Sequence, residues 1–285
     1  MRVTRVEIEN MRCIKHAVIP MYRQINQVYA DTEGEKWDIM VSHDIVLRAI
    51  KKDWTHLSNV CTDRMNIDSR ITAIFQDDND YVRTSNGDLA PACYKAVLKK
   101  ARPESWNTDI VIDYFYSNDG DCGPWHPLGD NKLILRKIRQ CCQEIIMDSL
   151  IDDDRYGVMK IDTFTYDMVK YADKDVRSDF TILLPWMMFD DETYGRTVII
   201  NDPYCMTTSD KIHTIFNTYL KTHCEGNFFT VVLCKKEELN MMVHTTVIHN
   251  GISYEYEIRH CDTVEERMEY YKQELERILS IKEGE

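Results

Sequence analysis

Hydrophobic residues follow three rhythms along this chain, and each predicts a different kind of element. At the start, Val3, Val6 and Ile8 punctuate the charged residues of RVTRVEIEN, which predicts a short strand. A helix is expected around Ala17 to Tyr29. Over residues 37 to 60, Ile39, Val46 and Ile50 recur at helical spacing with Met40 and Leu47 beside them, so an amphipathic helix should turn one flank to a core. His43 falls three residues before Val46 and seven before Ile50, on or beside that stripe. From Cys61 to Asp88 the chain is polar, with FQDDNDY and TSNGD as turn signals. Pro91 to Lys100 predicts a short helix with proline at its start. Thr108 to Tyr116, TDIVIDYFY, reads as a strand, and SNDGDCGPWHPLGD (117–130) as a loop. A long helix over Asn131 to Leu150 follows, with Asp130 as N-cap and Leu133, Ile134, Ile138, Ile145 and Ile146 facing inward.

The second half alternates in the same way. FTILLPWMMF (180–189) is continuously apolar, as in a strand buried on both faces, and ETYGRTVIIN is its expected hairpin partner. Lys211 to Thr222 reads as helix and FFTVVLC (228–234) as strand. HTTVIHNGISYEYEI predicts a hairpin closed at Asn250-Gly251. Thr263 with Glu266 forms a capping box before an amphipathic helix to about Ile281. A boundary near Asn201 to Ser209 divides the chain into a first domain, 1–200, and an α/β extension or linker region, 201–285.

Composition narrows the function classes. The 285 residues suffice for a sizeable core, and ten glycines and seven prolines leave little room for long linkers. A formal net charge of -13 disfavours a protein that coats nucleic acid, whose phosphates call for Lys and Arg. A local acidic cluster can still hold cations that bridge to phosphate. The ten cysteines show no CxxC pair and no zinc spacing, the first residues lack an apolar signal segment, and no apolar stretch is long enough to cross a bilayer. A reducing, cytoplasmic compartment with free thiols is expected.

Candidate chemistry starts from acids. Glu104 precedes the predicted strand and Asp113 lies in it, nine residues on. Two carboxylates converging from a hairpin can hold Mg²⁺ or Mn²⁺, and Mn²⁺ also accepts imidazole, so His43 is a candidate third ligand. Asp113 stands among Val111, Ile112, Tyr114 and Phe115, where a charge is costly without a metal or a donor; exposure on an edge strand is the plain alternative. Phosphodiester cleavage also needs a cation for the charge building on the phosphate. Lys132, in the first turn of the following helix, and Lys137 are candidates, against the plain alternative of solvated surface lysines.

The stretch HDIVLRAIKKDW, with its histidine one turn into a helix and its trailing Ile-Lys-x-Asp-Trp, resembles the N-terminal cap-snatching endonuclease of bunyavirus polymerase (L) proteins, most of all the hantavirus form. Pro103-Glu104 resembles that family's Pro-Asp before a hairpin, and Asp113 its strand acid. The resemblance spans roughly residues 30 to 140. It implies a PD-(D/E)xK nuclease-like α+β fold, a mixed sheet flanked by helices. It implies two Mn²⁺ or Mg²⁺ ions held by His43, Asp63, Glu104 and Asp113, with Lys132 or Lys137 as the catalytic lysine. It further implies single-stranded host RNA as substrate, the remainder of a viral polymerase as partner, and a place in the host-cell cytoplasm.

Rival constellations remain open. Asp190 and Asp202 flank a predicted hairpin with Lys211 on the next helix; Lys160 and Asp162 lie in VMKIDTF; Asp119 and Asp121 lie in a loop that lacks the closing Glu of a calcium loop. RVEIENMRCIKH has the rhythm of some ATPase N-termini, yet no GxxxxGK[ST] or GxGxxG follows, and there is no GxSxG elbow. The expected function is a metal-dependent endoribonuclease; the alternative is a non-enzymatic viral or phage structural or assembly protein.

Overall fold

The computed structural model describes residues 1–21, 24–52, 65–101, 110–121, 123–143, 146–147, 197–201, 228–234, 236, 239, 243–255 and 263–282. The chain opens with β1 (Arg2–Met11), where Val3, Val6 and Ile8 are buried as their spacing predicts, across a register shift between Val3 and Arg5. The helix expected over Ala17 to Tyr29 is instead two strands, β2 (Ile14–Pro20) and β3 (Ile25–Ala30). Pro20 has no N–H to donate and cannot lie inside a helix, while Val18, Ile19, Ile25 and Val28 are β-branched. The supposed polar stretch before Asp88 holds β4 (Arg70–Arg83), and the helix expected at Pro91 is β5 (Leu89–Lys100). In β5, Ala92, Tyr94, Ala96 and Leu98 are buried at every second position, and strands pair on both its sides. Pairing and burial override the helix propensity of its Ala, Leu and Lys.

The remaining strands are β6 (Ile110–Ser117), β7 (His126–Pro127), β8 (Ile146–Met147), β9 (Thr197–Asn201), β10 (Phe228–Leu233), β11 (His244–His249) and β12 (Ile252–Glu255). All twelve form one sheet in the order β7-β6-β5-β4-β1-β2-β12-β11-β3-β10-β9-β8. From β7 to β2 every pair is antiparallel. From β11 to β8 every pair is parallel. The short strand β12 joins the halves, antiparallel to β11 and parallel to β2 through Ile252 and His16. Strands from beyond residue 201 thus sit beside β2 and β3, from the first thirty residues.

Three helices are described: α1 (Glu33–Lys51), α2 (Lys132–Gln143) and α3 (Val264–Leu279). α1 touches strands of both halves and α2, so it is buried almost all round, including Ile39, Met40, Val46, Leu47 and Ile50. α2 turns Ile134, Ile138, Cys141 and Cys142 inward, whereas Leu133, expected inside, is 66% exposed. α3 starts at the predicted capping box, Thr263 with Glu266, and buries Tyr271, Leu275 and Ile278. Cys13, Cys93, Cys141, Cys142 and Cys234 are free thiols. No helix among the described residues is long and apolar enough to cross a membrane.

The hairpin tip between β11 and β12 has Asn250 and Gly251 both at positive φ, 52° and 77°, as the Asn-Gly signal predicts. The Gly251 carbonyl accepts from the Lys15 and His16 N–H groups at 2.8 and 3.0 Å. A Cβ at this position would lie 2.2 Å from the Cys13 carbonyl oxygen. Gly251→Ala therefore strains the backbone and forces two turns apart. It is expected to destabilise the protein by roughly 2–4 kcal/mol, read as a lower denaturation midpoint.

His43 lies in the core with no exposed surface; its Nδ1–H donates to the Ile39 carbonyl at 2.8 Å, and its Nε2 has no partner among the described residues. Burial pushes its pKa down to about 4 from 6.5, against the smaller raising effect of the Ile39 bond. Between these values the unfolded chain binds a proton that the folded chain refuses. The stability tied to the neutral ring is thus full above about pH 6.5 and lost as pH falls toward 4, on the order of 3 kcal/mol. Replacing the ring by His43→Leu should flatten the fall of Tm between pH 7 and pH 4.5. An unchanged slope would show that the ring takes its proton without unfolding.

Candidate functional site at the ends of the parallel strands

In open sheets, ligands gather beyond the carboxyl ends of parallel strands. Here that place is the end of β3, flanked by the parallel strands β10 and β11. β3 passes through Asp31 and Thr32 directly into α1. A strand, a turn and a helix N-terminus is the layout in which backbone N–H groups cradle a phosphate. With Lys36 taken as the lysine of GxxxxGK[ST], the two glycine positions hold Ala30 and Glu35, and the hydroxyl position holds Trp37.

Glu35 changes what this corner can do. Thr32 is the N-cap, its hydroxyl accepting from Glu35 N–H at 3.2 Å. Glu35 Oε2 accepts from the Thr32 N–H and Thr32 hydroxyl, each at 3.0 Å. Its Oε1 accepts from Gly251 N–H at 2.7 Å. Glu35 is only 3% exposed, so a buried carboxylate occupies the positive end of the α1 dipole, where an anionic ligand would go. Lys36, the would-be phosphate ligand, pairs with Glu33 at 2.8 Å. One turn on, Asp38 Oδ2 accepts from Cys13 N–H at 2.9 Å, tying α1 to the β1–β2 turn.

Beside this turn, His249 ends β11 and Asp31 follows β3. His249 Nδ1–H donates to Asp31 Oδ2 at 2.8 Å, and its Nε2 lies 3.0 Å from the Ile281 carbonyl. Tyr29 hydroxyl reaches Asp31 Oδ1 at 3.4 Å. Sequence reasoning found neither Asp31, Glu35 nor His249. The Thr32-x-x-Glu35 capping box was a readable signal, but its partner Gly251 is 216 residues away.

The residues expected to hold metal are placed elsewhere. His43 is on α1 and points into the core, bonded to the Ile39 carbonyl one turn back. Asp113 lies half-exposed on β6 and accepts from Lys99 Nζ at 2.6 Å. Asp63 and Glu104 lie outside the described residues, as do Asp190, Asp202 with Lys211, and Lys160 with Asp162. Lys132 is exposed at the start of α2. Lys137 pairs at 2.8 Å with the buried Asp77, and the two line a cleft of about 320 Å³ with Met1, Asn79, Gln140 and Cys141. Lys137 and the backbone of Asn79 hold the Asp77 carboxyl below its usual range, against the opposing effect of burial. Asp119 and Asp121 serve the fold: Asp119 Oδ1 accepts from Ser85 N–H, and Asp121 pairs with Arg5. Among the described residues no group of three or more His, Cys, Asp or Glu side chains could hold a metal ion.

Comparison with known proteins gives the fold a reference. No protein-family model matches the chain, and no curated protein matches it in sequence. Among solved structures, the SMC head domain from Thermotoga maritima superposes with a TM-score of 0.51 at 10% identity, over 91% of this chain and all of that one. An SmcHead bound to the C-winged helix domain of ScpA gives 0.51 at 8% identity, over 90% of this chain and 98% of that one. The recombination mediator protein RecF, with ATPrS, gives 0.43 at 9% identity, over 90% and 98%. The two SMC head likenesses overturn the PD-(D/E)xK nuclease-like fold and, with it, the bunyavirus resemblance. A cap-snatching endonuclease within a viral polymerase is set aside, and so is the viral or phage structural alternative. The strong part of that resemblance is the His43 helix, and there the ring is a buried core histidine bonded to the Ile39 carbonyl. At such low identity the comparison establishes the fold: this chain is built as an SMC head domain is built.

Proposed function

We propose that this chain is a head-fold module that works by binding a protein partner, with its β3–α1 corner closed to nucleotide. The observation that carries this reading is Glu35. A phosphate brought to the N-terminus of α1 would meet a buried carboxylate already bonded to Thr32 and Gly251. Like charges that close, away from water, repel strongly. The turn is also short, and Lys36 is engaged by Glu33. A protein partner suits the fold, since one similar head is bound to the winged-helix domain of ScpA. The net charge of -13 favours a partner over direct contact with nucleic acid phosphates.

The described cysteines are free thiols, which supports a reducing, cytoplasmic location. Of the two ions first expected, Mg²⁺ retains one use on this fold, as an ion carried in by a nucleotide, and it is tested together with that nucleotide. Thermal unfolding is to be followed with and without millimolar ATP and MgCl₂. A nucleotide at a hundred times its Kd would add about 2.7 kcal/mol and raise Tm by several degrees. No shift is expected. A saturable rise in Tm that Lys36→Ala abolishes would overturn the reading.

A further inference from the structure

We propose that the segment just after α3, Ser280 to Lys282, is a strap that covers the Asp31–His249 pair and controls access to the His249 ring at the ends of β3 and β11. Asp31 directs the His249 ring through Nδ1, leaving Nε2 as the nitrogen that faces outward from the pair. Nε2 meets the Ile281 carbonyl at 3.0 Å, and the Asn250 side-chain amide donates to the same carbonyl at 3.2 Å. The same amide lies 3.0 Å from Nε2. A protonated Nε2 thus donates to Ile281, and an unprotonated one accepts from Asn250. The ring is capped in either form, and its side chain is left only 10% exposed.

The strap is anchored by α3 rather than by the His249 contact alone. Ile278 is fully buried one turn before it, Ile281 N–H donates to the Ile278 carbonyl, and the Tyr271 hydroxyl reaches Thr245 of β11 at 3.3 Å. Ser280 and Lys282 are exposed. The cover therefore depends on two backbone-carbonyl bonds and one buried anchor, a set that a partner engaging α3 can undo without unfolding the sheet. Its release uncovers an imidazole already oriented by a carboxylate, at the place where this kind of sheet binds ligands. That a ligand would meet His249 rather than the N-terminus of α1 rests on the closed-corner reading above. Nucleotide binding by the wild type would overturn that reading and leave the cover on His249 untouched.

Three histidines of the full chain serve as an internal ruler for the test. His16 is 54% exposed, His249 lies under the strap, and His43 is in the core. Carbethoxylation by diethyl pyrocarbonate, followed residue by residue by mass spectrometry, should be about tenfold or more slower at His249 than at His16 in the wild type. Asn250→Gly keeps the positive φ but removes one bond to Ile281, and Ile278→Ala removes the anchor. In both variants His249 should speed up toward the His16 rate while His43 stays unmodified. Equal rates at His249 and His16 in the wild type would overturn the proposal. So would a His249 that stays protected in both variants, or a His249 and a His43 that become reactive only together.

Discussion

A single buried carboxylate holds the corner on which this structure turns. Glu35 sits in the first turn of α1 and accepts from three donors, two on Thr32 and one on Gly251. A charge so deeply placed is tolerable only with its hydrogen bonds made and a favourable local field, and the N-terminus of a helix supplies both. The bond to Gly251 does more than satisfy an oxygen. Gly251 in turn accepts from Lys15 and His16, so one carboxylate links the central helix, the parallel half and the antiparallel half of the sheet.

The need for such a link follows from the topology. β2 and β12 meet through one register pair, so the ladder between the two halves is thin. α1 lies across both, packing on β1, β2, β4 and β6 on one side and on β3 and β10 on the other. Beyond that ladder, the halves are joined by apolar burial along α1 and by polar contacts at its tip. The same tip is a strand, a turn and a helix N-terminus, a layout in which backbone N–H groups can cradle an anion. In the reading proposed above, the Glu35 carboxylate, held by Thr32 and Gly251, stands where such an anion would go.

Much of the secondary structure was legible because its signals are local. Asn250-Gly251 announces its turn through the positive φ that both residues need, and Thr263 with Glu266 announces α3. β1, β6 and β10 follow from alternation and β-branching. β5 was misread because ALA-like helix formers and lysines fill it, and only its neighbours β4 and β6 make it a strand. β2 and β3 run against the helical pattern, and Pro20 at the end of β2 marks the break that a helix could not span. The site was less legible still. His43, the residue that drew attention, is a core histidine, while Asp31 and His249 become neighbours only because β3 and β11 pair in parallel. The same holds for Glu35 and Gly251. Spacing along the chain carries no trace of such contacts, and only the Asn250-Gly251 turn and the Thr32-x-x-Glu35 capping box write parts of this corner in local signals.

The Glu35 carboxylate, rather than a bound ligand or solvent, occupies the Gly251 N–H. Amide hydrogen exchange at Gly251, measured by NMR in the wild type and in Glu35→Ala, tests it most directly. Exchange should be slow in the wild type, and in the variant the Gly251 amide should become fast while the β11 and β3 amides remain protected. Fast exchange at Gly251 in the wild type, or equal protection in both proteins, would contradict it.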